Sequence, residues 1–349
     1  MEHMRSYVTV PSPPESDAYG VPASYQPLRE ASLLKPIQDN PQQRKDPFQF
    51  GTRYLTTEDD IFSHNAWDHV TVDPQYDDFI ASQISMQRSN PADKDRYNAR
   101  PEKWWDEFYA RNNAAFFKDR KWLIQEFPLL EQVTAEDYGP CVVLEVGAGA
   151  GNTAFPLFAQ NKNKDLCLHA CDYSAKAIEV IRSAKEYQDQ SILMADVWDL
   201  ASRDSLPPGL EPEGVDVVIL IFVFSALAPD QWGQAVRNVC RLLKPGGEVL
   251  FRDYGRGDLA QVRFKKGRYL EENFYVRGDG TRVYFFEEEE LRGIWGKELE
   301  IVRLATDRRM LVNRQRRLKM FRCWMQGRFR KGTEELRGDG DEDLEEDAS

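Results

Sequence analysis

The run Val142-Val143-Leu144-Glu145-Val146-Gly147-Ala148-Gly149-Ala150-Gly151 decides the fold. Its first half, Val142 to Val146, has the length and β-branched content of a buried strand, and its second half is a loop with glycine at every other position. A helical stretch and a second apolar strand, Leu166 to Cys171, follow it, which opens an α/β fold with a parallel sheet. Glycine reaches φ values closed to other residues and lets a ligand approach the backbone. The loop lies at the carboxyl end of the first strand, where open α/β sheets bind their ligands. The spacing is ExGxGxG and not GxGxxG; Asn152 stands at the last glycine position of that other pattern.

Downstream, Ser174 is placed to cap a helix whose Ala177, Ile178, Ile181 and Ala184 share one face, and a third strand is expected at Ser191 to Ala195. Val215 to Phe222 reads as a fourth strand buried on both faces. Glu248 to Arg252 reads as a fifth, introduced by a turn at Lys244, Pro245, Gly246 and Gly247. Phe274 to Arg277 and Thr281 to Phe286 flank Gly278, Asp279 and Gly280, the pattern of an antiparallel hairpin. Phe321, Trp324 and Phe329 are expected to face inward from a final strand whose arginines face outward.

Upstream, residues 1–44 hold seven prolines and no sustained apolar periodicity, so this segment is expected to be disordered. Phe48, Phe50, Tyr54, Phe62, Trp67 and Tyr76 mark an accessory region, taken as 45–130. Its later aromatics, among them Trp104, Trp105, Phe108, Tyr109 and Trp122, fit helices lying on a larger body. The longest apolar run, Val217 to Ala228, is too short to cross a bilayer, and the amino terminus shows neither a secretion signal nor a transit peptide. A cytoplasmic protein without membrane contact is expected. The five cysteines form no CxxC pair, and Cys167, His169 and Cys171 on one strand face read as core packing, so no metal is expected. The net charge of -12 conceals a segregation. Residues 333–349, an expected disordered tail, hold nine carboxylates and one arginine, whereas 301–331 hold eleven Lys or Arg and one acid, Asp307.

Two carboxylates give the glycine loop its chemistry. Asp172 ends the second strand, where it can accept hydrogen bonds from both hydroxyls of a ribose, and Asp196 ends the third, where it can meet an adenine amino group. No lysine stands in the loop to cradle a phosphate, and Glu145 is placed to orient the loop or hold an ammonium group through water. S-adenosylmethionine, which has no pyrophosphate, fits this set. The open alternative, a fold that uses NAD or has lost its ligand, is disfavoured by the glycine spacing.

Several motifs together resemble the tRNA N3-methylcytidine methyltransferases. They are FGTRYL from Phe50, HNAWDH at His64 to His69, WDEFY at Trp105 to Tyr109 and FFKDRKWL at Phe116 to Leu123. LEVGAGAGNTAFPL, CDYS, LIFVFSALAPD, LLKPGG, FRDYGRGDLAQVRFKKG and NFYVRGDGTRVYFF follow. The resemblance implies a Rossmann-like class I methyltransferase domain over 131–332, with a mostly parallel seven-stranded sheet flanked by helices and a hairpin insertion near 270–287. It implies cofactor contacts from Trp105, Tyr109, Gly147, Asp172, Asp196 and Ile221, to which the loop adds Glu145, Gly149 and Gly151 and the end of the third strand adds Val197. It also implies that Arg120, Asp253 and Tyr254 stand near the reacting centre. The chain has Ala148 and Ala228 where the family usually has cysteine and often has histidine.

The FGxRxL and HNxWDH pieces resemble the branch that modifies cytidine 32 in the anticodon loop of threonine tRNAs, and in some species serine or arginine tRNAs. The anticodon stem-loop is then the expected partner, and the resemblance admits an aminoacyl-tRNA synthetase such as seryl-tRNA synthetase as a second. The basic residues Arg263, Lys265, Lys266, Arg268, Arg277, Arg282, Arg308, Arg309 and Arg314, with Arg316, Arg317, Lys319, Arg322, Arg328 and Arg330 behind them, are candidates for RNA phosphates. A solvated charged face is the plainer reading of such a run. N3 of neutral cytosine carries a lone pair, so it needs no prior deprotonation and no catalytic cysteine; Asp253 is the candidate to stabilise the charge that develops on the ring. The other classes to be separated are a small-molecule or protein methyltransferase and a noncatalytic RNA-binding subunit on the same fold.

Overall fold

The computed structural model describes residues 53–71, 74–120, 122–187, 191–316 and 318–333. The proline-rich segment, Phe48 and Phe50, Arg317 and all of the acidic tail but Thr333 lie outside the described residues. In chain order the elements begin with β1 (Ala66–Asp68), α1 (Pro74–Arg88), α2 (Lys94–Asn98), α3 (Pro101–Asn112), α4 (Leu123–Glu126) and α5 (Leu129–Val133). Then come β2 (Cys141–Val146), α6 (Ala154–Gln160), β3 (Leu166–Asp172), α7 (Ala175–Ser183), β4 (Leu193–Val197), β5 (Val215–Ile221), α8 (Trp232–Leu242) and β6 (Leu243–Tyr254). The last are α9 (Leu259–Val262), β7 (Tyr269–Glu271), β8 (Phe274–Val276), β9 (Arg282–Tyr284), α10 (Glu288–Trp295), β10 (Glu300–Asn313) and β11 (Leu318–Arg330).

These residues fall into two compact units. One holds the described residues up to Arg100 with Asp253–Glu288 and Ala305–Gln326; the other holds Pro101–Arg252, Glu289–Leu304 and the residues from Gly327. The accessory region expected at 45–130 is thus divided: its part up to Arg100 groups with segments from far along the chain, and α3 to α5 belong with the glycine loop.

In the second unit the strand order is β11-β6-β5-β2-β3-β4. The pairs β2·β3, β2·β5, β3·β4 and β5·β6 are all parallel. β5 reads Val-Asp-Val-Val-Ile-Leu-Ile and, as a central strand must be, is buried on both faces. α7 starts at Ser174, whose hydroxyl oxygen accepts the Ala177 N–H at 3.1 Å, and it buries Ala177, Ile178 and Ile181. The Lys244–Gly247 segment, expected as a turn, lies within β6. The register slips there, from Val215 opposite Leu243 to Val217 opposite Glu248, so the two glycines make a bulge that keeps the strand paired.

In the first unit β1 pairs antiparallel with β10, Trp67 opposite Met310, and β10 is followed in the sheet by β11. Counting β10 and β11 once, eight strands take part in that sheet where seven were expected, because HNAWDH supplies an edge strand. The hairpin around Gly278 to Gly280 is present, Val276 opposite Arg282, and β7 adds a third strand to it. Tyr76, Ile80, Tyr275, Phe285 and Phe321 form the core of this unit with Trp67. The buried Gln87 amide is satisfied on both ends: Nε2 donates to the Gln261 carbonyl at 2.9 Å and Oε1 accepts the Tyr275 hydroxyl at 2.9 Å.

β11 corrects one expectation about sides. Phe321, Cys323, Met325 and Phe329 are buried, but Trp324 has the parity of the arginines and lies under the Arg322 guanidinium, 4.8 Å from its ring centre. In the second unit Phe329 stacks on Trp295, ring centroids 4.6 Å apart and planes 6° apart, and both are fully buried. Trp295→Ala should cost about 3 to 5 kcal/mol, the range for deleting a buried aromatic. Trp295→Phe should cost much less, because the indole Nε1 is buried without a hydrogen-bond partner and its loss removes an unsatisfied donor. Urea unfolding of the two variants checks this; equal losses would show that the N–H is satisfied after all.

Candidate functional site

Three N–H groups shape the loop after β2. Ala148 N donates to the Cys171 carbonyl (3.0 Å), Gly149 N to Asp172 Oδ2 (2.9 Å) and Gly151 N to the Ala148 carbonyl (2.9 Å). Gly149 has φ +60°, and a Cβ there would run into the Tyr109 hydroxyl, so the position demands glycine on both counts. Asp172 also accepts the Ser174 N–H on Oδ1 at 2.8 Å. Its carboxyl is buried, which pushes it up to about 6 against the opposing pull of the Ser174 and Gly149 N–H groups.

WDEFY is bound to this centre by a residue that the sequence reading passed over. Asp106 Oδ1 accepts the Ser174 hydroxyl at 2.6 Å and the Lys176 N–H at 3.1 Å, which fixes α3 at the start of α7. Trp105 and Tyr109 on α3 stack with centroids 6.2 Å apart, Tyr109 buried and Trp105 half-buried. The signal was available: an acid between two aromatics on a helix, aimed at a serine N-cap.

Glu145 is the penultimate residue of β2, its side chain 1% exposed. Arg120 Nη1 donates to Thr153 Oγ1 at 3.1 Å and reaches Glu145 Oε1 at 3.5 Å, and the Thr153 side chain and Ala154 N–H also stand against this carboxylate. Burial pushes this carboxyl up to about 7, and the Arg120 cation opposes it. Arg120 therefore sits against the loop's own carboxylate.

Asp196, one residue before the end of β4, is held by Arg182 Nη2 at 2.7 Å, and Val197, which ends the strand, is 47% exposed, large for an apolar side chain. Ile221 is buried in the core at the end of β5, where it pairs with Arg252 of β6. Phe222, which follows it, has φ +61°, a left-handed conformation that is costly for an aromatic residue, and its N–H donates to the Arg252 carbonyl at 2.8 Å. Sequence offered no sign of this. The Arg252 guanidinium is buried 5.3 Å over the Trp122 ring, so it joins β6 to FFKDRKWL.

The expected cofactor residues thus converge at the carboxyl ends of β2 to β5 within one unit. They fit S-adenosylmethionine: a buried carboxylate at Glu145 for an ammonium group, a buried carboxylate at Asp172 for ribose hydroxyls, and an exposed apolar surface at Val197 for a purine. Among the described residues no group of three or more His, Cys, Asp or Glu is arranged to hold a metal ion. Cys167 Sγ lies 3.4 Å from His169 Nε2, and burial lowers the histidine's proton affinity.

Asp253 and Tyr254 belong to the other unit. Asp253 is fully buried, and its Oδ1 accepts the Tyr254 N–H at 2.8 Å. The basic residues divide into spent and exposed. Arg309 pairs with Asp68 at 2.8 Å, Arg322 with Asp258 at 2.8 Å, and Arg328 and Arg330 both pair with Glu248, at 2.7 and 2.8 Å. Arg282 is buried and donates to Asn98 Oδ1 at 2.9 Å, and Lys319 is buried as well. These carboxylate partners hold part of the basic run against the protein's own strands, so its arginines do not all stand free of the fold. Arg263, Lys265, Lys266, Arg314 and Arg316 are exposed, Arg308 and Arg268 half-buried, the last with Nη1 on the Arg277 carbonyl.

The raised carboxyl of Glu145 has a sign that can be measured. The folded state holds this proton more tightly than the unfolded chain, so its stabilising contribution is full below about pH 4.5 and is lost as pH rises through about 7. For the cofactor-free protein the loss amounts to roughly 3 kcal/mol. Glu145→Gln should remove it, leaving the smaller slope from Asp172, and urea melts between pH 4 and 8 read the difference. An unchanged slope in the glutamine variant would mean that Glu145 is ionised throughout.

A methyltransferase-domain family profile matches residues 144–249, the span from β2 to β6. The chain is 50% identical over 283 residues to the tRNA N(3)-methylcytidine methyltransferase trm140 of Schizosaccharomyces pombe, across 81% of this chain and 92% of that protein. It is 51% identical over 288 residues to the tRNA(Thr) (cytosine(32)-N(3))-methyltransferase of Saccharomyces cerevisiae, but spans only 46% of that longer relative. With the tRNA N(3)-methylcytidine methyltransferase Mettl2 of Drosophila melanogaster it shares 42% over 301 residues, 84% of this chain and 91% of that one. Identity at this level along nearly the full length of two such relatives places the chain in the tRNA N3-methylcytidine methyltransferase family.

Proposed function

We propose that this protein transfers a methyl group from S-adenosylmethionine to N3 of cytidine 32 in the anticodon loop of threonine tRNAs. The observation that carries the substrate is the 51% identity to the Saccharomyces cerevisiae relative, whose name specifies tRNA(Thr) and cytosine 32. The observation that carries the chemistry is the carboxylate-lined glycine loop. When bound, S-adenosylmethionine supplies an electrophilic methyl on a sulfonium.

Asp172 would accept hydrogen bonds from the ribose hydroxyls while still holding the Gly149 N–H, and Glu145 would orient the loop or hold the ammonium end through water. Tyr109 and Trp105, pinned through Asp106, cover the loop. The N3 lone pair of cytosine would take up that methyl, with the methyl–sulfur electron pair left on sulfur. The positive charge therefore moves onto the pyrimidine, where a carboxylate stabilises it more in the transition state than in the ground state. Asp253, the residue after Arg252 on β6, fills that role, with Tyr254 against the base. N3 lies on the pairing edge, so the base must be unpaired, as in a loop. The exposed Lys265, Lys266 and Arg314 serve phosphates, and the reaction belongs to the cytoplasm.

Sequencing tRNA from a strain deleted for the gene tests the function. N3-methylcytidine is expected to vanish at position 32 of threonine tRNAs; its persistence there, with loss from serine or arginine tRNAs, would move the substrate. A rate increase on adding seryl-tRNA synthetase would mark the second partner.

For the chemical step, Asp253→Asn should lower the single-turnover rate about 100-fold or more, with tRNA and cofactor affinity changed less than about threefold. The carboxylate also braces its own turn through the Tyr254 N–H, a task asparagine performs well. A near wild-type rate in the asparagine variant would therefore assign Asp253 to the turn alone.

A further inference from the structure

Arg277 was expected to serve a phosphate, but its surroundings describe a different task. Its backbone is fixed from three sides. Arg277 N donates to the Thr281 carbonyl at 2.8 Å, and its own carbonyl accepts Gly280 N and Arg268 Nη1, both at 3.1 Å. Asp279 Oδ1 locks the same turn by accepting the N–H and hydroxyl of Thr281 at 3.0 and 2.7 Å. From this anchored base the half-buried side chain lays its guanidinium over the Tyr254 ring, Cζ 5.5 Å from the centroid, with Nη1 at 3.5 Å from Thr281 Oγ1 and from the Arg282 carbonyl.

Tyr254 is bounded elsewhere too. Phe285 packs at 5.7 Å between centroids with planes at 53°, and the Tyr254 carbonyl accepts the Phe286 N–H at 2.9 Å. A guanidinium over an aromatic face is attracted by the ring's quadrupole and prefers one orientation, so cation and ring fix each other. A phosphate ligand at an exposed rim would have no need of so many internal anchors.

We infer that Arg277 is a positioning residue for Tyr254: the β8–β9 turn delivers its guanidinium to the Tyr254 ring and thereby sets the plane against which the target cytosine is held. This rests on the proposed role of Tyr254 at the base. The two motifs RDYG and NFYVRGDGTR then form one device, in which the turn sets the ring and the ring sets the base. Misplacement of a reacting group by a fraction of an ångström to an ångström is enough to slow transfer without loosening the tRNA.

Single-turnover methylation of tRNA from the deletion strain, at several salt concentrations, tests it. Arg277→Met keeps the stem and removes the charge; its rate should fall between about tenfold and a hundredfold. Its slope of log affinity against log salt should match wild type, whereas Lys265→Ala, a phosphate contact, should lower that slope by about 0.7 to 0.9. Arg277→Lys, which keeps a cation but loses the planar fork, should recover only part of the rate, and that partial loss carries the test if the methionine variant fails to fold. In a Tyr254→Ala background Arg277→Met should cost less than about twofold further. A lowered salt slope at an unchanged rate would make Arg277 a phosphate ligand, and a full, additive loss in the Tyr254→Ala background would uncouple the two; either overturns the inference. If Tyr254→Ala itself turns over at the wild-type rate, the role of Tyr254 falls and the inference with it. A slow Tyr254→Ala beside a fast Arg277→Met defeats the inference alone.

Discussion

Asp172 accepts the Gly149 N–H on one carboxylate oxygen and the Ser174 N–H on the other, 2.9 and 2.8 Å away, and so binds the loop after β2 to the helix after β3. A carboxylate taken out of water is costly unless hydrogen bonds replace its hydration, and these two N–H groups are the replacement. The geometry of the rest follows from it. Gly149 is held where only glycine fits beside Tyr109, Ser174 is held where its hydroxyl meets Asp106, and Asp106 brings α3 with Trp105 and Tyr109 to the same centre. A single buried group thus joins the glycine loop, CDYS and WDEFY, three motifs well separated in the chain.

The charge pattern carries a second lesson. A run of arginines beside an acidic tail suggests an extended RNA-binding face, but β11 pairs its arginines with the protein's own carboxylates: Arg322 with Asp258, Arg328 and Arg330 with Glu248. Half-buried guanidinium–carboxylate pairs with two nitrogens on one carboxylate hold their strands in register. The charges that remain exposed, Lys265 and Lys266 before β7 and Arg314 and Arg316 after β10, come from short turns.

Those elements whose side-chain pattern is set by burial were legible in the sequence. β5 showed itself as an apolar run, the glycine loop by its spacing, α7 by its serine cap and apolar face, and the β8–β9 hairpin by its glycine turn. What depended on partners distant in sequence was not. The glycines of Lys244–Gly247 signal a turn locally, yet β5 pairs across them and turns them into a bulge. Trp324 looks like a core residue until strand parity places it with Arg322. The eighth strand, β1, is too short to show a period and exists because β10 offers an edge. The strained Phe222 leaves no trace in composition, since a backbone angle is imposed by its surroundings and not by the residue type.

Membership of the tRNA N3-methylcytidine methyltransferase family specifies the methylated atom, N3 of cytosine, which needs no deprotonation before it takes the methyl. Purified protein incubated with methyl-labelled S-adenosylmethionine and total tRNA from the deletion strain, followed by digestion to nucleosides and mass spectrometry, reads that atom directly. The account predicts the label in N3-methylcytidine. Label in 5-methylcytidine, or in added protein and not in tRNA, would contradict it.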